Sequence, residues 1–180
     1  MRTPARAARK CFVGLKGDCR FRAAGILAIL VLILDQASKW QVAKSLALWS
    51  VTPVIPGFFN LSHIVNRGAA FGFLNRADSS WQVWFFVAAS VVALAIILKI
   101  LASTGPNDRV LRLSLGLILG GALGNLADRV RLGQVVDFLD FYLGSSHYPA
   151  FNVADIGITL GAVGLAVSLL RKKDHVSGPL

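Results

Sequence analysis

Four long apolar stretches constrain this 180-residue chain more than any other feature. A hydrocarbon core of about 30 Å takes about 20 apolar residues in a helix. Backbone in lipid must satisfy its own hydrogen bonds, so stretches of this length read as membrane helices. The spans are predicted at about Ala23–Leu48, Trp81–Leu101, Val110–Asp128 and Phe151–Leu170. Hydrophobic residues make up 55% of the chain and charged residues only 16%, which leaves little for a separate soluble domain. The expected fold is one membrane α-helical bundle. The first span follows a basic segment, but its apolar core is long and no clear small-x-small cleavage site follows that core. It is read as retained, not as a cleaved signal peptide.

The net charge is +10, and the nine acidic residues are all Asp. A basic total can signal nucleic acid. Here the charge flanks apolar runs, which points to membrane orientation and excludes a nucleic-acid partner. Thirteen Lys/Arg fall on one side: seven before the first span, Lys99, Arg109 and Arg112 between spans two and three, and Arg171, Lys172 and Lys173 at the end. Six fall on the other: Lys39, Lys44, Arg67, Arg76, Arg129 and Arg131. The excess of positive charge puts both termini in the cytoplasm and segments 49–80 and 129–150 outside. Cys11 and Cys19 then lie in the cytoplasmic segment and are read as free thiols.

Segment 49–80 contains two β-prone pieces, Val51–Ile55 and Phe58–Val65, separated by Pro and Gly. They fit either a small sheet on the membrane or a loop whose rings at Phe58, Phe59, Phe71 and Phe73 sit at the interface.

Two aspartates sit at span ends. Asp128 comes eighteen residues after Val110, roughly 27 Å up the third helix. Asp155 is four residues into the fourth, roughly 6 Å down. Both therefore fall near the outer surface. Gly116, Gly120, Gly124 and Asp128 recur at intervals of four, a row that lets a neighbouring helix approach. Asp155, Thr159, Ala162 and Ala166 form a comparable stripe. Spans three and four are expected to meet along these rows and bring the two carboxylates together. Paired carboxylates in a dry site share a proton near neutrality, so one acts on water as base while the other donates to the scissile carbonyl oxygen. The bland alternative makes Asp128 an ion-pair partner of Arg129, or makes each aspartate a cap.

The motifs go further. GGALGNLADR (Gly120–Arg129) resembles the signature of the bacterial lipoprotein signal peptidase family, signal peptidase II. FNVADIGI (Phe151–Ile158) is similar to its second catalytic motif. DQASK (Asp35–Lys39), NRGAAFG (Asn66–Gly72) and VVDFLDF (Val135–Phe141) resemble further family motifs. The resemblance covers roughly residues 24–170. It implies an intramembrane aspartyl endopeptidase that removes signal peptides from prolipoproteins, cutting just before a diacylglyceryl-modified cysteine. It implies catalytic roles for Asp128 and Asp155, sensitivity to globomycin, and an outer-face β-cradle over about 49–75. The setting it implies is the inner (cytoplasmic) membrane, with the site near the periplasmic face and phospholipid around a monomer. The domain frame is then a basic extension at 1–22, the four-helix peptidase at 23–170 and a basic tail at 171–180.

Several residues are expected in support. Asn125 and Asn152 each precede an aspartate by three residues and share its helix face. Asn152 suits an N-cap as well as a place in the site. Arg129 either holds Asp137 or the outer loop, or extends to the interface. Asn66 is carried over by resemblance to a place near the active site. Asp35 and Lys39, at i,i+4, are expected to fix the first helix as a buried pair. Asp137 and Asp140 are expected to fold the short outer loop. His63, His147 and His175 are scattered, so neither a metal nor another cofactor is expected. The rival class is a small proton-coupled transporter using the aspartates as a relay.

Overall fold

The computed structural model describes residues 5–68, 81–105 and 107–176, with side chains from 21 to 171 within those ranges. The elements in order are α1 (Ala5–Ser45), β1 (Val51–Ile55), β2 (Phe59–Asn66), α2 (Trp81–Ser103), α3 (Arg109–Leu132), β3 (Val135–Leu143), β4 (Ser146–His147) and α4 (Val153–Val176). Among the described residues, four helical segments are long and apolar enough to cross a membrane: Phe21–Ser45, Trp81–Ser103, Arg109–Leu132 and Val153–Arg171. The expected bundle is present, with element ends shifted by a few residues. The expected positions of Phe71 and Phe73, and the part of the cradle from 69 to 75, lie outside the described residues. So do the side chains of Cys11 and Cys19.

α3 is the hub, packed against α1, α4 and α2. Its first turn is capped by Asp108, whose carboxylate accepts the Leu111 amide at 3.0 Å. Ser168 of α4 donates to both oxygens of the same carboxylate. Gly133 ends the helix in the left-handed region at φ 69°, where its amide closes on Arg129 O. At the end of α3 nearer Asp108, Ala24, Ile97, Leu101, Leu111 and Leu115 form the apolar core. The opposite end of the bundle holds buried polar groups instead.

The glycine row of α3 corrects an expectation. A Cβ at Gly116 would come within 2.7 Å of Ala24 O, and one at Gly120 within 2.5 Å of Ala28 O. That row faces α1 at Gly116 and Gly120, and at Gly124 it meets both Asp35 of α1 and Ala154 of α4. The closer α4 contact belongs to the neighbouring row. Gly121 lies against the Ala154 carbonyl, and Gly161 of α4 approaches Ser114 O. Adjacent helix positions differ by about 100° around the axis, since 3.6 residues make a turn. A shift of one row therefore changes the partner helix.

The outer segments form one antiparallel sheet in the order β1-β2-β3-β4. The β1–β2 hairpin turns at Gly57, φ 82°. The 129–150 segment was expected as a short outer loop but supplies the strand β3. Its residues pair with β2 at Leu61↔Leu139, Ile64↔Asp137 and Asn66↔Val135. One extra residue on β2 between Leu61 and Ile64 makes a bulge. There, the His63 ring contacts Leu46 O at 3.0 Å and its amide donates to Ser50 O at 3.0 Å, tying the sheet to the end of α1. Phe151, predicted as the start of the fourth helix, instead pairs with Leu139 as extended chain. The helix begins after it at Val153.

Candidate active site

Two polar clusters lie side by side where α1, α3, α4 and β3 meet. The first is built around Lys39. Its ammonium lies 2.8 Å from Asp35 Oδ2 and 2.9 Å from Asp128 Oδ2, and it donates to Asn125 Oδ1 at 3.0 Å. All four side chains are buried. Asp35 Oδ1 accepts the Ala154 amide at 2.9 Å, locking the start of α4 onto α1. Asp128 accepts Gln36 Nε2 on Oδ1 at 2.9 Å and the Val136 amide on Oδ2 at 3.2 Å. The glycine row that ends in Asp128 faces α1, so the carboxylate meets Lys39 there. Among the described residues, no hydrogen bond or ion pair joins Asp128 to Asp155. The two aspartates are linked indirectly: Lys39 binds Asp128 and donates to Asn125, and Asn125 donates to Asp155.

The second cluster is built around Asn152. Its side chain is fully buried and donates to Asp137 Oδ1 at 2.7 Å, with longer contacts to Asn125 Oδ1 and Val136 O. Its backbone amide donates to Asp155 Oδ2 at 3.2 Å, and the Asp155 amide donates back to Asn152 Oδ1 at 3.0 Å. That reciprocal pair is a capping box at the start of α4. The two expected roles of Asn152, cap and contact to a site carboxylate, coexist in one residue. Asn125, in the row that faces α4, donates to Asp155 Oδ1 at 2.8 Å. Asn66 donates to Asp137 Oδ2 at 3.3 Å, while its own carbonyl oxygen accepts the Gly68 amide.

Asp137 is thus a buried carboxylate set against another carboxylate. Burial first, and then the negative charge of Asp155, push its pKa up to about 7. Hydrogen bonds from Asn152 and Asn66 and the charge of Lys39 pull the other way and do not win. Asp137 was expected as a supporting residue of the site that folds the short outer loop. One sign of its importance is visible in VVDFLDFYL, an apolar β-prone run just past a glycine helix stop, with carboxylates inside it. Its neighbour Asp140 does act in folding, bound by Asn60 at 2.9 Å and His147 at 2.8 Å.

Asp155 is half-buried and opens onto a cavity of about 230 Å³. Tyr148, Phe151, Ile156, Thr159 and Leu160 complete the wall, which is mainly apolar. Phe151 stacks on Phe141, which also stacks on Phe59, so the sheet braces this wall. Among the described residues, Arg129 has no ion pair with Asp128 and no hydrogen bond to Asp137. Its guanidinium lies 5.2 Å over the Phe86 ring of α2 and contacts Asn125 O at 3.5 Å. Its charge still acts on Asp155, Asp137 and Asp128.

A membrane helix bundle carrying opposed carboxylates beside an apolar cavity defines a class, the intramembrane aspartic hydrolases. Comparison with known proteins narrows it. Residues 27–171 match the family described as Signal peptidase (SPase) II. A lipoprotein signal peptidase of Maridesulfovibrio salexigens is 55% identical over 150 residues, covering 83% of this chain and 96% of its own. One of Nitratidesulfovibrio vulgaris is 51% identical over 152 residues, covering 84% and 92%. A solved structure, a bacterial membrane enzyme determined by the in meso method at 2.3 Å resolution, is similar at 30% identity with a TM-score of 0.76. It covers 87% of this chain and 93% of its own. The chain belongs to the signal peptidase II family, a family of aspartic peptidases. The transporter alternative finds no support in these likenesses.

Proposed function

We propose that this protein cleaves signal peptides from diacylglyceryl-modified prolipoproteins, just before the lipidated cysteine, and that Asp137 and Asp155 form its catalytic dyad. The observation that carries the dyad is that Asn152, locked in its capping box with Asp155, also donates to Asp137 at 2.7 Å, which ties both carboxylates to one asparagine beside the cavity that Asp155 lines. Asp128 already neutralises a lysine and takes the part of a positioning residue.

The chemistry follows from the two environments. Asp137 is the partner that holds the proton, because burial and the charge of Asp155 raise its pKa to about 7. Asp155, facing the cavity, takes a proton from a water as the water oxygen attacks the scissile carbonyl carbon. Asp137 gives its proton to the carbonyl oxygen, forming a neutral tetrahedral diol. As the C–N bond breaks, Asp155 passes its proton to the leaving nitrogen. Asp137 recovers a proton from the diol, and the dyad is restored.

The apolar cavity suits the lipid-modified flank of the substrate. The Lys/Arg count supports both termini in the cytoplasm and the site at the outer face of the inner membrane. The shallow place of Asp155, in the first turn of α4, supports cleavage near the membrane surface. Phospholipid surrounds a monomer in this proposal. Residues 1–22 and 171–180 flank the peptidase unit of 23–170 as basic segments, and its outer cradle spans about 49–75.

The test is cleavage of matched prolipoproteins, with and without the diacylglyceryl group, by purified protein. Preference for the modified form supports the proposal, and globomycin should block it. Equal cleavage of both forms sinks the substrate assignment.

A further inference from the structure

Gln82 in the first turn of α2 is 1% exposed, yet among the described residues neither atom of its side-chain amide has a hydrogen-bond partner. Such a group is expensive: burying an amide without partners costs far more than exposing it to water. One turn along the same helix face, Phe86 carries the guanidinium of Arg129 at 5.2 Å. Arg129 Nε is likewise buried without a partner. Through its Nη1, Arg129 contacts Asn125 O, and Asn125 donates to Asp155. A buried donor–acceptor pair on α2 and a buried donor on α3 are thus related through Phe86, which follows Gln82 by one turn and carries the Arg129 guanidinium.

We infer that Gln82, together with Arg129 Nε, binds the peptide backbone of the substrate flanking the scissile bond. The chemistry selects a peptide group over a lipid ester. A glutamine side chain offers one donor direction and one acceptor direction, which a peptide N–H and C=O satisfy together. An ester carbonyl would engage Nε2 and leave Oε1 buried and unpaired. Arg129 Nε–H takes a further carbonyl. Gln82 is then a binding residue for the scissile segment and takes no part in proton transfer.

This inference rests on the peptidase proposal, and wild-type cleavage of a lipid-modified prolipoprotein peptide serves as the control for that proposal. The variant is Gln82→Met, close in volume and free of polar atoms. Thermal stability of the empty protein should stay level or rise, because an unpartnered amide is removed. KM should rise about tenfold with kcat within about twofold, the expected loss of two modest hydrogen bonds. A drop in Tm with unchanged KM would assign Gln82 a structural partner and overturn the inference, as would unchanged KM alone. A second measurement uses substrates N-methylated at single backbone positions around the cleavage point. One position should raise KM for wild type and add nothing for Gln82→Met. If no position behaves so, the backbone assignment fails. If the wild type cleaves nothing, the peptidase proposal itself fails.

Discussion

The Lys39 cluster and the Asn152 cluster share Asn125 and touch each other, yet they hold their carboxylates in opposite ways. Around Lys39, two carboxylates flank one ammonium, Asp35 from its own helix α1 and Asp128 from α3, so the ammonium clamps the two helices by charge-assisted bonds. Around Asn152, two carboxylates face one another, and the hydrogen bonds reaching them come from neutral amides. A carboxylate clamped by a cation braces the helices. A carboxylate confronted by another carboxylate keeps a proton within reach of neutral pH. The first arrangement builds the platform, and the second is poised for acid–base work. Proximity to the membrane surface does not separate them, because both occupy the same end of the bundle.

The largest expected effect breaks the comparison on its catalytic side. Asp137→Asn or Asp155→Asn should lower kcat roughly a thousandfold or more while the protein still folds, since one acid–base partner is lost. A gel assay of prolipoprotein cleavage with a folding control measures it. On the other side, Lys39→Met leaves Asp35 and Asp128 buried without their cation. Stability should fall by about 3–5 kcal/mol, seen as a large drop in Tm in detergent. A variant as stable as wild type would deny the clamp.

Asp128→Asn sharpens the division. Lys39 keeps Asp35, so the loss should be about 1–3 kcal/mol and kcat should stay within about tenfold of wild type. A thousandfold drop in a folded variant would return Asp128 to the dyad. The smallest expected effect is a pH slope. Asp137 titrates near 7 in the fold against an ordinary value of 3.8. The folded state therefore holds a proton that the unfolded chain releases between those values. Stability falls as pH rises from about 4 to about 7, and this group adds no slope beyond. Asp137→Asn should remove that slope, and in the wild type kcat should decline as pH passes about 7.

Much of this was legible in the residues. Apolar length set the four helices, because lipid admits few other solutions. Val51–Ile55 and Phe58–Val65 marked the first hairpin closely. The motifs collected nearly every residue of both clusters. β3 was missed because its aspartates made an apolar, β-prone run look like a polar loop. In the fold those side chains are buried and paired, and Asp137 and Asp140 become part of the sheet's inner structure.

The sequence by itself determined the bundle, the hairpin and the membership of the polar end. Only the tertiary structure decided which carboxylate faces which. The reason lies in helix geometry. Two rows run along α3, a glycine row ending in Asp128 and a row with Gly121 ending in Asn125, and both permit close packing. Periodicity marks a row as tight but does not name its partner. Contact with α1 sends Asp128 to Lys39, contact with α4 brings Asn125 to Asp155, and pairing with β2 holds the strand from which Asp137 meets Asn152.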